Sequence, residues 1–292
     1  MTLRDHIYEL RHRLGLAMLF IMLGAVFGFI WFSTRIGPIK SLGDILTGPY
    51  CDLPKSVRLQ VGDKCQLLQT QPFEAFLIRF KVGVATGMVL TAPLWLYQVW
   101  AFITPGLYAK ERKFARRFVM FASLLFAAGA VLAYFVVPQG LSVLVSFGGD
   151  QFITALAAEK YVSFVLVLLL IFGVSFELPL LIVMLNQIGI LPYANLKRWR
   201  RGIIFALFVF AAFATPGTDP VSMVALGIAM TGLFEIAVQI SRIHDSRKAK
   251  RLAAEDAAEL DPDSPSTLDD YEPEPAEPSK VEDVRAGWDD VT

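Results

Sequence analysis

Between Tyr161 and Ile188 the chain runs for 28 residues with one charged side chain, Glu177, set in the middle of FGVSFELPL. As a helix this run is about 42 Å long at ~1.5 Å per residue, enough to cross the ~30 Å hydrocarbon core of a bilayer with tilt. Such a run constrains the fold to a membrane-spanning one. Glu177 then lies well below the membrane surface, where an ionised carboxylate costs at least ~2.5 kcal/mol. Two residues on, Pro179 has no N–H to offer the carbonyl of Ser175. A buried acid beside a loosened backbone is a candidate functional site. The alternative is an acid satisfied by a polar side chain of a neighbouring helix.

Other apolar runs repeat the pattern. They cover about Leu14–Phe32, Phe76–Ile103, Phe118–Val137, Gly202–Ala214 and Val221–Ile240. The first is too long for the apolar part of a secretion signal and no A-x-A-like site follows it, so it reads as the first span. Pro93 should kink the second run, and Arg79 and Lys81 near its start can snorkel to the interface. After Pro138 a loop should lead into the run holding Glu177. The run 202–214 has only 13 residues, short for an ordinary crossing, so it and the last run are either two thin crossings or a re-entrant hairpin. Both choices keep the parity of the chain.

Charge divides the molecule sharply. From Leu252 to Thr292 there are 14 acids and two bases, net −12, with five prolines and no apolar run. That composition predicts a disordered cytoplasmic extension from about residue 252, within a tail taken as 246–292. Residues 14–245 form the expected membrane domain. Ahead of it, TLRDHIYELRHRL has Thr2 and Asp5 at capping-box spacing and Ile7, Leu10 and Leu14 on one face, which predicts an amphipathic surface helix over 1–13. The segments that alternate to one side of the membrane, the N-terminus and the C-terminal segment as far as Arg251 included, hold 17 bases, and those on the other side hold six. The positive-inside rule therefore places both termini in the cytoplasm. The two cysteines, Cys51 and Cys65, share the long first loop. That loop is then outside, where a disulfide between them can persist.

The enzyme motifs fail. There is no H-E-x-x-H, no G-x-S-x-G and no P-loop, and His6, His12 and His244 all lie outside the spans. No catalytic group, metal site or cofactor is expected, and no nucleic-acid partner. What remains are acids in unusual places. Glu9 and Glu111 sit among bases on two segments that topology brings to the cytoplasmic side. Exposed carboxylates suit recognition of arginine, whose guanidinium pairs bidentately. The competing reading pairs each with its local bases, Glu9 with Arg13 and Glu111 with Arg112. A proton-coupled small-solute transporter with Glu177 as its relay is the alternative from another class, although no inverted repeat of the transporter kind is evident.

DHIYELRHRL resembles the N-terminal signature of the TatC family, the receptor subunit of the twin-arginine protein translocase. APLWLYQVWAFITPGLYAKERK, from Ala92 to Lys113, resembles that family's second span and first cytoplasmic loop. AYFVVP, FGVSFELPL, ATPGTDP and LFEIAVQISR follow in the family's order. The resemblance implies an all-α membrane protein of six transmembrane helices in a concave, glove-like bundle, with two short final spans that cross the membrane. It implies a non-enzymatic receptor in the bacterial plasma membrane that recognises twin-arginine signal peptides of folded precursors. Transport is then expected to draw on the proton-motive force together with the single-span partners TatA and TatB, in contact with lipid and in a homo-oligomeric complex. By motif, Glu9 and Glu111 are expected to contact the arginine pair, helped by Phe102, Leu107 and Tyr108. Glu177 is expected on the concave side. Asp219 matches an outer-turn position of interest. Met223 stands where many relatives carry Gln, which puts a polar partner contact there in doubt.

Overall fold

The computed structural model describes residues 3–52, 60–61, 64–65, 67–103, 112–147, 156–216 and 219–259. Among them the chain is helical apart from one small ladder. The order is α1 (Leu3–Trp31), α2 (Leu42–Cys51), β1 (Gln60–Val61), β2 (Lys64–Cys65), α3 (Glu74–Leu90), α4 (Ala92–Ile103), α5 (Arg112–Ser146), α6 (Ala158–Gln187), α7 (Tyr193–Ala214) and α8 (Pro220–Glu259). β1 and β2 pair antiparallel, Gln60 opposite Cys65. The chain divides into two compact units, Met1–His244 and Asp245–Thr292.

Four helices (α1, α5, α6 and α8) are long and apolar enough to cross a membrane, and α3 with α4 makes a fifth if the bent pair is counted as one span. α7 is different. Its first half carries Lys197, Arg198, Arg200 and Arg201, so the apolar part is confined to 202–214. Large apolar side chains stand exposed along α1, among them Met18, Met22, Leu23 and Ile30. In a spanning helix these are the lipid-facing surface.

The break at Pro93 is where the sequence places it. α3 and α4 meet at Thr91 with a bend of 66°. Pro93 has no N–H to donate back to α3, and in the first turn of α4 that donor is not needed. The carbonyl of Met88, in the last turn of α3, accepts from Trp95 Nε1 at 2.8 Å.

Three expectations are corrected. The amphipathic segment over 1–13 is no separate helix but the first part of α1, since only Gly15 interrupts good helix formers there and one Gly costs about 1 kcal/mol. Pro138 does not end its helix. α5 continues to Ser146, because Val137 and Leu141 on either side of the proline are both buried in the core and hold the axis together. The tail is helical to Glu259, past the start of the acidic segment at 252. Ala-rich sequence and an Arg251–Glu255 pair at 2.7 Å, one turn apart, favour helix there.

The main core lies between α5 and α6, with Phe172, Leu168, Val165, Val137 and Ala133 fully buried. A second cluster joins Leu96 and Trp100 of α4 to Phe118, Ala122 and Phe126 of α5, and a third joins Leu196 to Phe234 and Val238. α1 and α3 meet on glycine. A Cβ on Gly87 would lie 2.5 Å from the nitrogen of Ala25, and one on Gly24 would lie 2.8 Å from Gly87 Cα. Only bare backbone allows that approach.

The long first loop is fastened to the helix bundle at several points. Cys51 and Cys65 form a disulfide with Cα atoms 5.8 Å apart. Leu68 bridges to Ala157, and the hydroxyls of Tyr134 and Tyr161 donate to the carbonyls of Ile45 and Leu46 at 3.0 and 2.8 Å. Glu74 is the least exposed acid of this region. Its Oε2 accepts from the Thr70 and Gln71 amides at 2.6 and 3.0 Å and from the Thr70 hydroxyl. Its Oε1 accepts the Glu159 amide at 2.7 Å. That amide belongs to the first turn of α6, whose N-cap Ala157 has no side-chain acceptor to offer.

Candidate functional site

The Glu9 end of α1 is the first part of the candidate site. Glu9 is one turn ahead of Arg13, and Arg13 turns both Nε (2.9 Å) and Nη2 (2.7 Å) onto the same oxygen, Oε1. The local pair expected from spacing is therefore formed. It uses half the carboxylate. Oε2 is buried and has no hydrogen-bond partner among the described residues. A carboxylate offers about four lone-pair sites, so a second guanidinium can be accepted while Arg13 stays bound.

Beside it, His6 stacks on Phe102 with ring centroids 4.6 Å apart and planes 21° from parallel. This contact closes the start of α1 onto the end of α4. It depends on the bend at Thr91, which sets the direction in which α4 leaves α3. Trp100 and Phe118 meet edge to face at 4.5 Å and tie the end of α4 to α5. In the sequence the segment 104–111 joins α4 to α5. Leu107, Tyr108 and Glu111 lie in that segment, outside the described residues. Of the residues expected at the arginine-reading site, Glu9 and Phe102 are described, and His6 joins them. Its signal was available in the sequence, since His6 precedes Glu9 by three positions and shares a helical face with it.

Glu177 is a separate feature on α6. Its side chain is 8% exposed, and neither carboxylate oxygen has a partner among the described residues. The polar neighbour that would have satisfied it is not there among those residues. α6 continues through Pro179 without ending.

Asp219 immediately precedes α8, and Met223 lies in its first turn. Asp219 is fully buried and caps the helix, accepting the amides of Val221 (3.0 Å) and Ser222 (3.2 Å) and the Ser222 hydroxyl. Its carboxylate leans on α5 at Gly140, where a Cβ would lie 2.6 Å from Oδ2. Met223 is half-buried against the main core. No cluster of His, Cys, Asp or Glu able to hold a metal ion occurs among the described residues.

Known proteins resemble this chain in sequence and fold. The family model described as Sec-independent protein translocase protein (TatC) matches residues 5–228. A Sec-independent protein translocase protein TatC of Corynebacterium kroppenstedtii is 44% identical over 277 residues, covering 91% of this chain and 67% of the relative. One from Frankia casuarinae is 44% identical over 282 residues, 94% of this chain and 76% of its own length. A crystal structure titled as the twin arginine translocase receptor TatC in DDM superposes with a TM-score of 0.66 at 30% identity, covering 81% of this chain and 99% of that one.

Proposed function

The chain belongs to the TatC family of Sec-independent protein translocase proteins, and from that premise we propose that it is the receptor that reads the arginine pair of twin-arginine signal peptides. The observation that carries this reading is the half-used carboxylate of Glu9. One oxygen is held by Arg13, and the other, shielded from solvent, has no hydrogen-bond partner among the described residues. An incoming guanidinium gains a charge-assisted bond there without displacing the resident one. The stacked His6–Phe102 pair beside it supplies a flat wall on which a second planar guanidinium can lie. Glu111, with Leu107 and Tyr108, supplies the other carboxylate. A title naming a solved relative as twin arginine translocase receptor supports the same reading.

Around that site the protein has six crossings in a concave bundle, α7 and α8 making the two final ones. Both termini face the cytoplasm of a bacterial cell and the protein resides in the plasma membrane. The base count of 17 against six supports this orientation. TatA and TatB assemble with it, several copies take part, and folded precursors cross at the expense of the proton-motive force. Glu177, an acid with no partner of its own among the described residues, is the polar point against which an inserted helix is sensed. At the other end of the membrane Met223, on the turn that buried Asp219 caps, meets a partner. The test is binding of a twin-arginine signal peptide to the purified protein: Glu9→Ala is expected to weaken it by about tenfold or more, and undiminished binding would refute the assignment.

A further inference from the structure

Arg79 is a cation near the membrane border that has no carboxylate within ion-pair distance among the described residues. It lies five residues into α3, about 7.5 Å along the axis from Glu74 at ~1.5 Å per residue. The side chains around it, Phe76, Leu77 and Phe80, are all exposed, as a lipid-facing surface requires. Lys81 makes the contrast. Two residues on, it is paired with Glu159 at 2.6 Å and bonded to Ser163 at 3.0 Å. Among the described residues the fold supplies a counter-charge to one cation and none to the other.

Arg79 is also held in place. Its guanidinium lies over the rings of Phe29 (5.3 Å) and Phe32 (5.6 Å), and Nη2 donates to the Ser33 hydroxyl. Nε is buried with no acceptor among the described residues. A guanidinium has five N–H groups, so donors remain for an anion from outside the chain. A side chain that merely snorkelled into water would not need two aromatic rings and a hydroxyl to fix it. Phe32 has a second role, since it also lines an apolar cavity of about 210 Å³ with Leu46, Ile78 and Val162. A charged fork and an apolar space thus adjoin across one ring.

We propose that Arg79, Ser33 and the Phe29–Phe32 pair form a binding site for the phosphodiester of a phospholipid in the leaflet at the Glu74 end of α3, with the neighbouring cavity receiving apolar chain from the same lipid. Arginine suits this role because its planar fork matches phosphate bidentately. The lipid's charge completes the ion pair that the chain leaves open. The site is independent of the arginine-reading one.

Native mass spectrometry of the full-length purified protein titrated with phosphatidylglycerol tests it. Wild type is expected to retain the lipid, and Arg79→Gln to bind it about tenfold more weakly, the loss of one charge-assisted contact. Arg79→Lys should fall between, keeping the charge without the fork, and it serves as the readout if the glutamine variant does not fold. Diacylglycerol, which lacks the phosphate, should not be retained, and inorganic phosphate should not displace the lipid. Equal retention by wild type and both variants, or equal retention of diacylglycerol, would overturn the site. Displacement by inorganic phosphate would make it a free-anion site and overturn the lipid assignment.

Discussion

Gly87→Ala adds one methyl group to a helix interior, a change that in open space stabilises a helix by ~0.5–1 kcal/mol. Here the added Cβ would lie 2.5 Å from Ala25 N, 2.6 Å from Ile21 O and 2.9 Å from the Gly24 carbonyl carbon, all backbone atoms of α1. No flexible side chain stands in the way to be pushed aside. Ordinary contact begins near 3.4 Å, so α1 must withdraw by roughly 0.9 Å. A gap of that size along the seam forfeits about a quarter to a half of each dispersion contact. The expected net effect is a loss of ~1–3 kcal/mol, toward the upper end because backbone meets backbone. Gly15→Ala and Gly232→Ala are internal controls, since nothing lies within 4 Å of either position. They should be neutral or stabilising. The effect reaches function because α1 carries His6 and Glu9, whose placement against Phe102 depends on where α1 sits. Unfolding of the purified protein in mixed micelles, run beside signal-peptide binding, checks both. If Gly87→Ala unfolds within ~0.5 kcal/mol of wild type while the controls behave alike, bare-backbone packing does not hold α1 on α3. Adding Gly24→Ala should cost less than its single-variant loss, because α1 has already moved.

Reduction of Cys51–Cys65, or the Cys51→Ser/Cys65→Ser double variant, should cost about 3 kcal/mol, the loop-closure entropy of a loop of this size. Unchanged unfolding with and without dithiothreitol would contradict that. Asp219→Ala removes the cap of α8 and should lower stability by ~1–2 kcal/mol, read as a fall in the thermal midpoint, whereas Asp219→Asn keeps a capping oxygen and should lose much less. Equal loss in both would show that charge, not capping, is what Asp219 contributes.

Much of the fold was written in local signals. The run around Glu177 became α6 almost to the residue, and Pro93 broke α3 from α4 because a missing N–H acts wherever it stands. Pro138 carried the same local signal without the same result. Buried neighbours on both sides outweighed one lost hydrogen bond, and burial depends on helices far away in sequence. Glu74 could not be read at all as a helix cap, since the amide it accepts belongs to Glu159, 85 residues on. The α1–α3 seam was equally silent, as glycines in an apolar run look alike whether they face lipid or another backbone. At the candidate site, the Glu9–Arg13 pair was legible from its i, i+4 spacing, while the engagement of only one Glu9 oxygen needed the position of Arg13.

The central claim is that the open oxygen of Glu9 reads arginine and not charge in general. The direct measurement is equilibrium binding of a labelled Arg-Arg signal peptide and its Lys-Lys variant to wild type and Glu9→Ala. Lysine keeps the charge and loses the planar fork. The account predicts that wild type prefers the arginine peptide by about tenfold or more, the worth of one charge-assisted bond, and that Glu9→Ala abolishes the preference. Equal affinity of wild type for both peptides, or a preference that survives Glu9→Ala, would contradict it.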